Sequence, residues 1–185
     1  TDVNGCIADA DPELMPCISE CDTLTTFTQG GWGAEPNGNN PGTILQANFS
    51  TVFPTGLTIG CNNTLTLTTD QAIKDWLPSG TTPSVLPAGS LVDDLTYDNV
   101  LAAQLVAATL NVGFDAAITG FDASDDLLGD RYLNVAPFEG LTVSGLLSIA
   151  NQVIGGCSSD YTPAALNAAL TAINENYDNG TSNNG

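Results

Sequence analysis

The sequence predicts an α+β domain: about five helices around one apolar helix, residues 98–112, with a small antiparallel sheet from residues 24–28 and 56–68. Three observations carry this. Tyr97–Phe114 is apolar on nearly every face, with Gln104 and Asn111 its strongly polar interruptions, and such a helix in a folded domain sits at the centre. Leu24–Thr28 and Gly56–Thr68 alternate and are rich in β-branched residues, the signature of strands. Helix starts are marked at Asn40-Pro41, Thr142 and Thr162-Pro163.

The elements follow in order. Thr1–Cys21 reads as an extension in which Cys6, Cys17 and Cys21 lie close together and Pro12 and Pro16 prevent a long helix. Its oxygens, from Asp2, Asn4, Asp9, Asp11 and Glu13, lack the spacing of a calcium loop. Residues 22–178 form the single domain and 179–185 a polar tail. Leu24–Thr28 is a strand, broken by Gln29–Gly33. Asn40-Pro41 opens a helix whose Ile44, Leu45, Phe49, Val52 and Phe53 recur at helical spacing up to Pro54. Gly56–Cys61 and Thr64–Thr68 are paired strands around Asn62-Asn63. Thr68 and Gln71 make a capping box for a short helix, Asp70–Leu77, which Pro78 ends.

Ser79–Leu95 reads as a loop, longer than a domain usually carries without a purpose. Asp98 caps the central helix, and Gly113 is its expected stop. Asp115–Pro137 is acidic, with one short helix near Asp125–Leu128. Thr142 caps a helix that Gly155-Gly156 stops. Thr162-Pro163 begins the last helix, with Leu166, Leu170, Ile173 and Tyr177 on one stripe.

Charge narrows the function. Against 21 acidic residues stand only Lys74 and Arg131, and the net charge is −19. Nucleic-acid binding, which needs clustered Lys and Arg, is excluded, and docking on anionic lipid is disfavoured. No apolar run is expected to span a membrane, so no insertion is predicted. Such acidity suits either a salty medium, where screening removes its cost, or cation binding. Five cysteines point to an oxidising compartment, and the start at Thr1 without Met suits a processed product or an excised module. The chain is therefore expected to be secreted, extracellular or on a cell surface. Asn48, Asn62 and Asn179 fit the glycosylation triplet, which in an Asn- and Thr-rich chain adds little.

A chain without His has no Ser-His-Asp or Cys-His device. Carboxylates are plentiful, but aromatics make up only 6% of the residues and nothing basic neighbours a cysteine in sequence. No catalytic residue is assigned and no enzyme is expected.

The best cation candidate runs from Asp122 through Ser124 and Asp126 to Asp130, alternating oxygens as in a calcium loop, with the Leu128 carbonyl among them. It has Leu127 where such a loop wants Gly and Leu133 where it wants Glu, so simple helix capping by Asp122 or Ser124 competes with a calcium site. Trp32, among glycines, is either a stacking platform for sugars or a plug at the core's edge. Lys74 has Asp70 at i−4 as its simplest partner, the rival being an isopeptide crosslink to Asn. Cys61 and Cys157 are expected to pair. Cys6 then pairs with Cys17 or Cys21, and the third cysteine is left free or linked to another chain.

One series of motifs adds a resemblance: Thr28-Gln-Gly-Gly-Trp-Gly33, Asn40-Pro-Gly42, Phe53-Pro-x-Gly-Leu-Thr-Ile-Gly-Cys61 and Leu65-Thr-Leu-Thr68. Leu77-Pro-Ser-Gly80, Asn99–Ala102 with Val112–Asp115, and Leu166-Asn with Ile173–Asn176 continue it. Over about Leu24–Asp178 the chain resembles a poorly characterised module of large secreted bacterial surface proteins of the Bacteroidota type. The resemblance implies an extracellular, non-catalytic module and carries no active-site residues. The expectation is a structural subunit of a self-associating surface assembly, a filament or adhesin, whose partners are copies of itself or neighbouring modules. A calcium-assisted glycan-binding module is the alternative, with calcium its candidate cofactor.

Overall fold

A computed structural model describes residues 24–181. The readings placed on Thr1–Cys21, including Cys6, Cys17 and Cys21, lie outside the described residues, as do 182–185. Among the described residues six helices run α1 (Gln29–Trp32), α2 (Pro41–Val52), α3 (Asp70–Trp76), α4 (Val100–Ala117), α5 (Val143–Ile154) and α6 (Pro163–Asn176). A short 3-10 helix covers Leu128–Asp130, and the strands are β1 (Leu57–Gly60), β2 (Thr64–Leu67) and β3 (Ser90–Val92).

The fold is α+β and α4 is its axis. Helix α6 packs along it most extensively, with α1, α2 and α5 on its other sides. Leu101, Ala102, Ala103, Leu105, Val106, Ala107, Ala108, Leu110 and Phe114 are all fully buried. By length and composition alone α4 is long and apolar enough to cross a membrane, contrary to the expectation from sequence. Here those apolar faces are covered by protein: it is the core helix that such a pattern also produces.

Both of its ends differ from expectation, for physical reasons. The N-cap is Asn99, which is fully buried and whose Oδ1 accepts from the Leu101 and Ala102 N–H groups. Its Nδ2 also donates to Ser84 and to the Tyr97 hydroxyl. A carboxylate there would have to be desolvated and could not donate; Asp98 stays exposed and accepts from Ser79 Oγ. Gly113 does not stop the helix, which runs on to Ala117. It makes room for Phe53: a Cβ at Gly113 would lie 2.6 Å from that ring.

The sheet is mixed, not antiparallel. β1 and β2 pair antiparallel with Leu57 opposite Leu67 and Ile59 opposite Leu65, and these three leucines and one isoleucine face the core. β3 then lies parallel beside β2, Leu91 opposite Leu65. It comes from the stretch read as a loop, because a parallel partner needs a long crossover, here α3 and the chain after it. That chain is pinned on the way: Leu86 is buried and its N–H donates to the Ile154 carbonyl.

Leu24–Thr28 is extended but is no strand of that sheet. Its partners are elsewhere. Thr26 makes a parallel bridge with Asp178, its N–H donating to the Tyr177 carbonyl and its carbonyl accepting from Asn179 N–H. On the other side the Asn111 side-chain amide replaces a neighbouring strand: Oδ1 accepts from Phe27 N–H and Nδ2 donates to the Phe27 carbonyl, each at 3.0 Å. A side-chain amide carries the same donor and acceptor as a peptide group, so it can complete half a ladder.

Caps account for the remaining starts. Asn40, Thr142 and Thr162 accept from the N3 N–H groups of α2, α5 and α6, as expected. The cap of α3 is Thr69, not Thr68, and Gln71 reaches forward to Asp75 instead of closing a box. Thr28 caps α1, the turn that carries Trp32 inward. The helix expected near Asp125–Leu128 is the 3-10 turn at Leu128–Asp130.

Candidate functional site

A groove of about 340 Å³, lined mostly by apolar side chains, lies between α6 and residues 131–135. One wall is α6, through Ala169, Ala172, Ile173 and Asn176, and Tyr177 just beyond it. The other wall is held up by short-range pairing: Val143 N–H donates to the Arg131 carbonyl, and Leu133 N–H to the Leu141 carbonyl. Phe138 is buried behind this wall, 4.9 Å from the Tyr161 ring. Tyr132 projects from it, 76% exposed, with Val135 also exposed nearby.

Arg131 also lines this groove. Its guanidinium reaches Asp126 at 3.1 Å, while its buried Nε–H meets no acceptor among the described residues. A buried donor left unmatched costs about 1–3 kcal/mol. The other cation, Lys74, is tied to Glu35 at 2.7 Å and Asp75 at 3.3 Å, not to Asp70.

The carboxylate segment does other work than the calcium pattern requires. Asp122 accepts from Ser124 N–H and from Thr25 N–H, and Ser124 Oγ accepts from Asp126 N–H. Asp126 faces Arg131, and Asp130 ends the 3-10 turn. Among the described residues no three His, Cys, Asp or Glu side chains gather in metal-binding geometry. The pairing that sequence reasoning missed is Asp115 with Asp122. Partial burial raises the Asp115 pKa above its ordinary value; the Leu128 N–H, donating at 2.7 Å, opposes this, and the charge and hydrogen bond of Asp122 add to it. The signal was the position of Asp115 one turn past the expected helix end, visible only once α4 is known to continue.

Trp32 is no sugar platform. It is fully buried, 5.2 Å from the Phe114 ring and 5.1 Å from Phe27, and its Nε1–H donates to Asn111 Oδ1. The glycines around it serve close packing and leave no ring face for a ligand. Cys61 and Cys157 are bonded, with Cα atoms 6.4 Å apart, joining the β1–β2 turn to the Gly155-Gly156 turn after α5. Gly155 lies hard against that turn: a Cβ there would sit 2.6 Å from Cys61 Sγ. Asn48, of the glycosylation triplets, spends its amide on the Ile44 carbonyl, while Asn62 and Asn179 are exposed.

No protein family, curated protein or solved structure matches this chain.

Proposed function

We propose that this chain is a non-enzymatic, extracellular structural module that associates with copies of itself in a surface assembly such as a filament or adhesin. One observation carries the reading: an apolar groove along α6, rimmed by the exposed Tyr132. A surface of this kind is an interaction surface, and repeated use of it between unlike faces of identical copies generates an open chain. The Cys61–Cys157 bond supports an oxidising, extracellular setting.

The test is the mass of the native chain, residues 1–185, across a wide concentration range. Association that grows with concentration is expected. A strict monomer at the highest concentration overturns the reading.

A further inference from the structure

A second contact between copies is written into the sheet: we propose that β3 pairs antiparallel with β3 of a second copy about a two-fold axis, joining two three-stranded sheets into one. This rests on the reading that the chain associates with copies of itself, and it adds a contact apart from the groove.

Of the sheet's two edges among the described residues, one is closed. β1 lies against α5, and Gly60 N–H, on its outer side, donates to Asn151 Oδ1 at 2.7 Å. β3 ends the sheet on the other side. There the Gly89 carbonyl accepts from Thr64 N–H and Asp93 N–H donates to the Thr66 carbonyl, with Leu91 opposite Leu65 between them. Alternate residues of a strand serve the same neighbour. Ser90 and Val92 therefore aim their N–H and C=O groups outward, where no described residue takes them, and both residues are exposed. A bare row of this kind is a template for another strand. Ser90–Val92 has none of the charges or prolines that blunt such an edge.

Charge names the occupant. The net charge is −19, yet residues 36–69 and 76–92, which hold all three strands, contain no Asp, Glu, Lys or Arg. A cationic partner would be drawn to the acidic surface elsewhere; a second copy, repelled there, meets its least repulsion at the sheet. Geometry makes the edge its own complement. With Leu91 on the axis, Ser90 faces Val92 of the other copy, and each such pair exchanges both of its N–H···O=C bonds. Continued by one residue, this register sets Asp93 opposite Gly89 and not opposite another carboxylate. The exposed Val92 side chains lie diagonally across the axis on one face. β3 is 3 residues long, so the pairing is weak and fills at high concentration.

The test is residue-resolved amide exchange in the native chain, residues 1–185, at rising concentration, with mass measured on the same samples. The Ser90 and Val92 amides are expected to slow about tenfold or more as dimer forms, while Leu91, already paired with β2, stays unchanged. Val92→Pro removes the outward N–H and spares the β2–β3 bonds; it is expected to weaken association about tenfold or more. Val92→Glu sets like charges diagonally across the axis, is expected to act the same way, and serves if the proline variant does not fold. Exchange at Ser90 and Val92 that does not change with concentration, or association that neither variant weakens, overturns the proposal. The two readings separate on the same samples. Mass that grows while Ser90 and Val92 stay unprotected sinks the edge alone. Mass that stops at a dimer, lost in Val92→Pro, keeps the edge and sinks the open assembly, and a strict monomer sinks both.

Discussion

Asn111 is the most consequential single residue. Fully buried, it satisfies Phe27 N–H, the Phe27 carbonyl, Trp32 Nε1–H and Asn174 Oδ1 at 3.0–3.1 Å. Asn174 continues the chain of bonds to Gln104, through its carbonyl and Oε1, and Thr26 Oγ–H donates to the Asn174 carbonyl. Truncation strands four groups in the interior at once, and unmatched buried groups cost far more than a made bond contributes. Asn111→Ala is expected to lose at least ~3 kcal/mol in urea denaturation; a loss under ~1 kcal/mol would mean that water replaces the amide. Asp115 has the opposite character. With its folded pKa raised, the folded state holds the proton more tightly than the unfolded one. Its stabilising contribution is therefore present below the ordinary value of 3.8 and lost as pH rises through the raised value. Asp115→Asn keeps an acceptor for Leu128 N–H and removes the repulsion from Asp122. Thermal melts should show a gain under about 1 kcal/mol at neutral pH, solvent screening holding it down, that vanishes below pH 3.8. A gain equal at both pH values would place its cause elsewhere.

At the level of elements, the disulfide fastens the hairpin turn to the far end of α5 across 96 residues of chain. Closing so long a loop is expected to contribute about 4 kcal/mol by restricting the unfolded chain. Denaturant midpoints for the oxidised chain against Cys61→Ser with Cys157→Ser measure this directly, and coincident curves would refute it. The elements legible in the sequence were those marked by local chemistry: α2, α5 and α6 by their caps and the Pro or Gly beside them, the hairpin by alternation, α4 by its apolar faces. What was not legible depended on partners distant in sequence. Leu24–Thr28 has a strand's composition but finds Asn111 and Tyr177 instead of a sheet. Ser90–Val92 looks like loop and becomes a strand because β2 offers an edge. Gly113 reads as a stop until Phe53 is seen against it. The groove was invisible for the same reason, since its two walls come from residues 131–135 and 169–177.

Over the whole molecule, charge opposes association. Copies each carrying −19 repel one another, and both cations already have carboxylate partners among the described residues. Raising salt from ~0.1 M to ~1 M shortens the screening length from about 10 Å to about 3 Å. Self-association through an apolar groove should therefore strengthen with salt, read as a rising average mass. Weakening with salt would instead assign the contact to ion pairs.

The Thr26–Asp178 bridge has a mechanical meaning. Its two strands run the same way, so the chain leaves one at its start and the other at its finish, in opposite directions. Tension drawn through residues before Leu24 and after Thr181 slides these strands past each other instead of peeling them apart. The Thr26–Tyr177, Asn179–Thr26 and Thr26–Asn174 hydrogen bonds then take the load together, with the Phe27–Asn111 pair on α4 behind them.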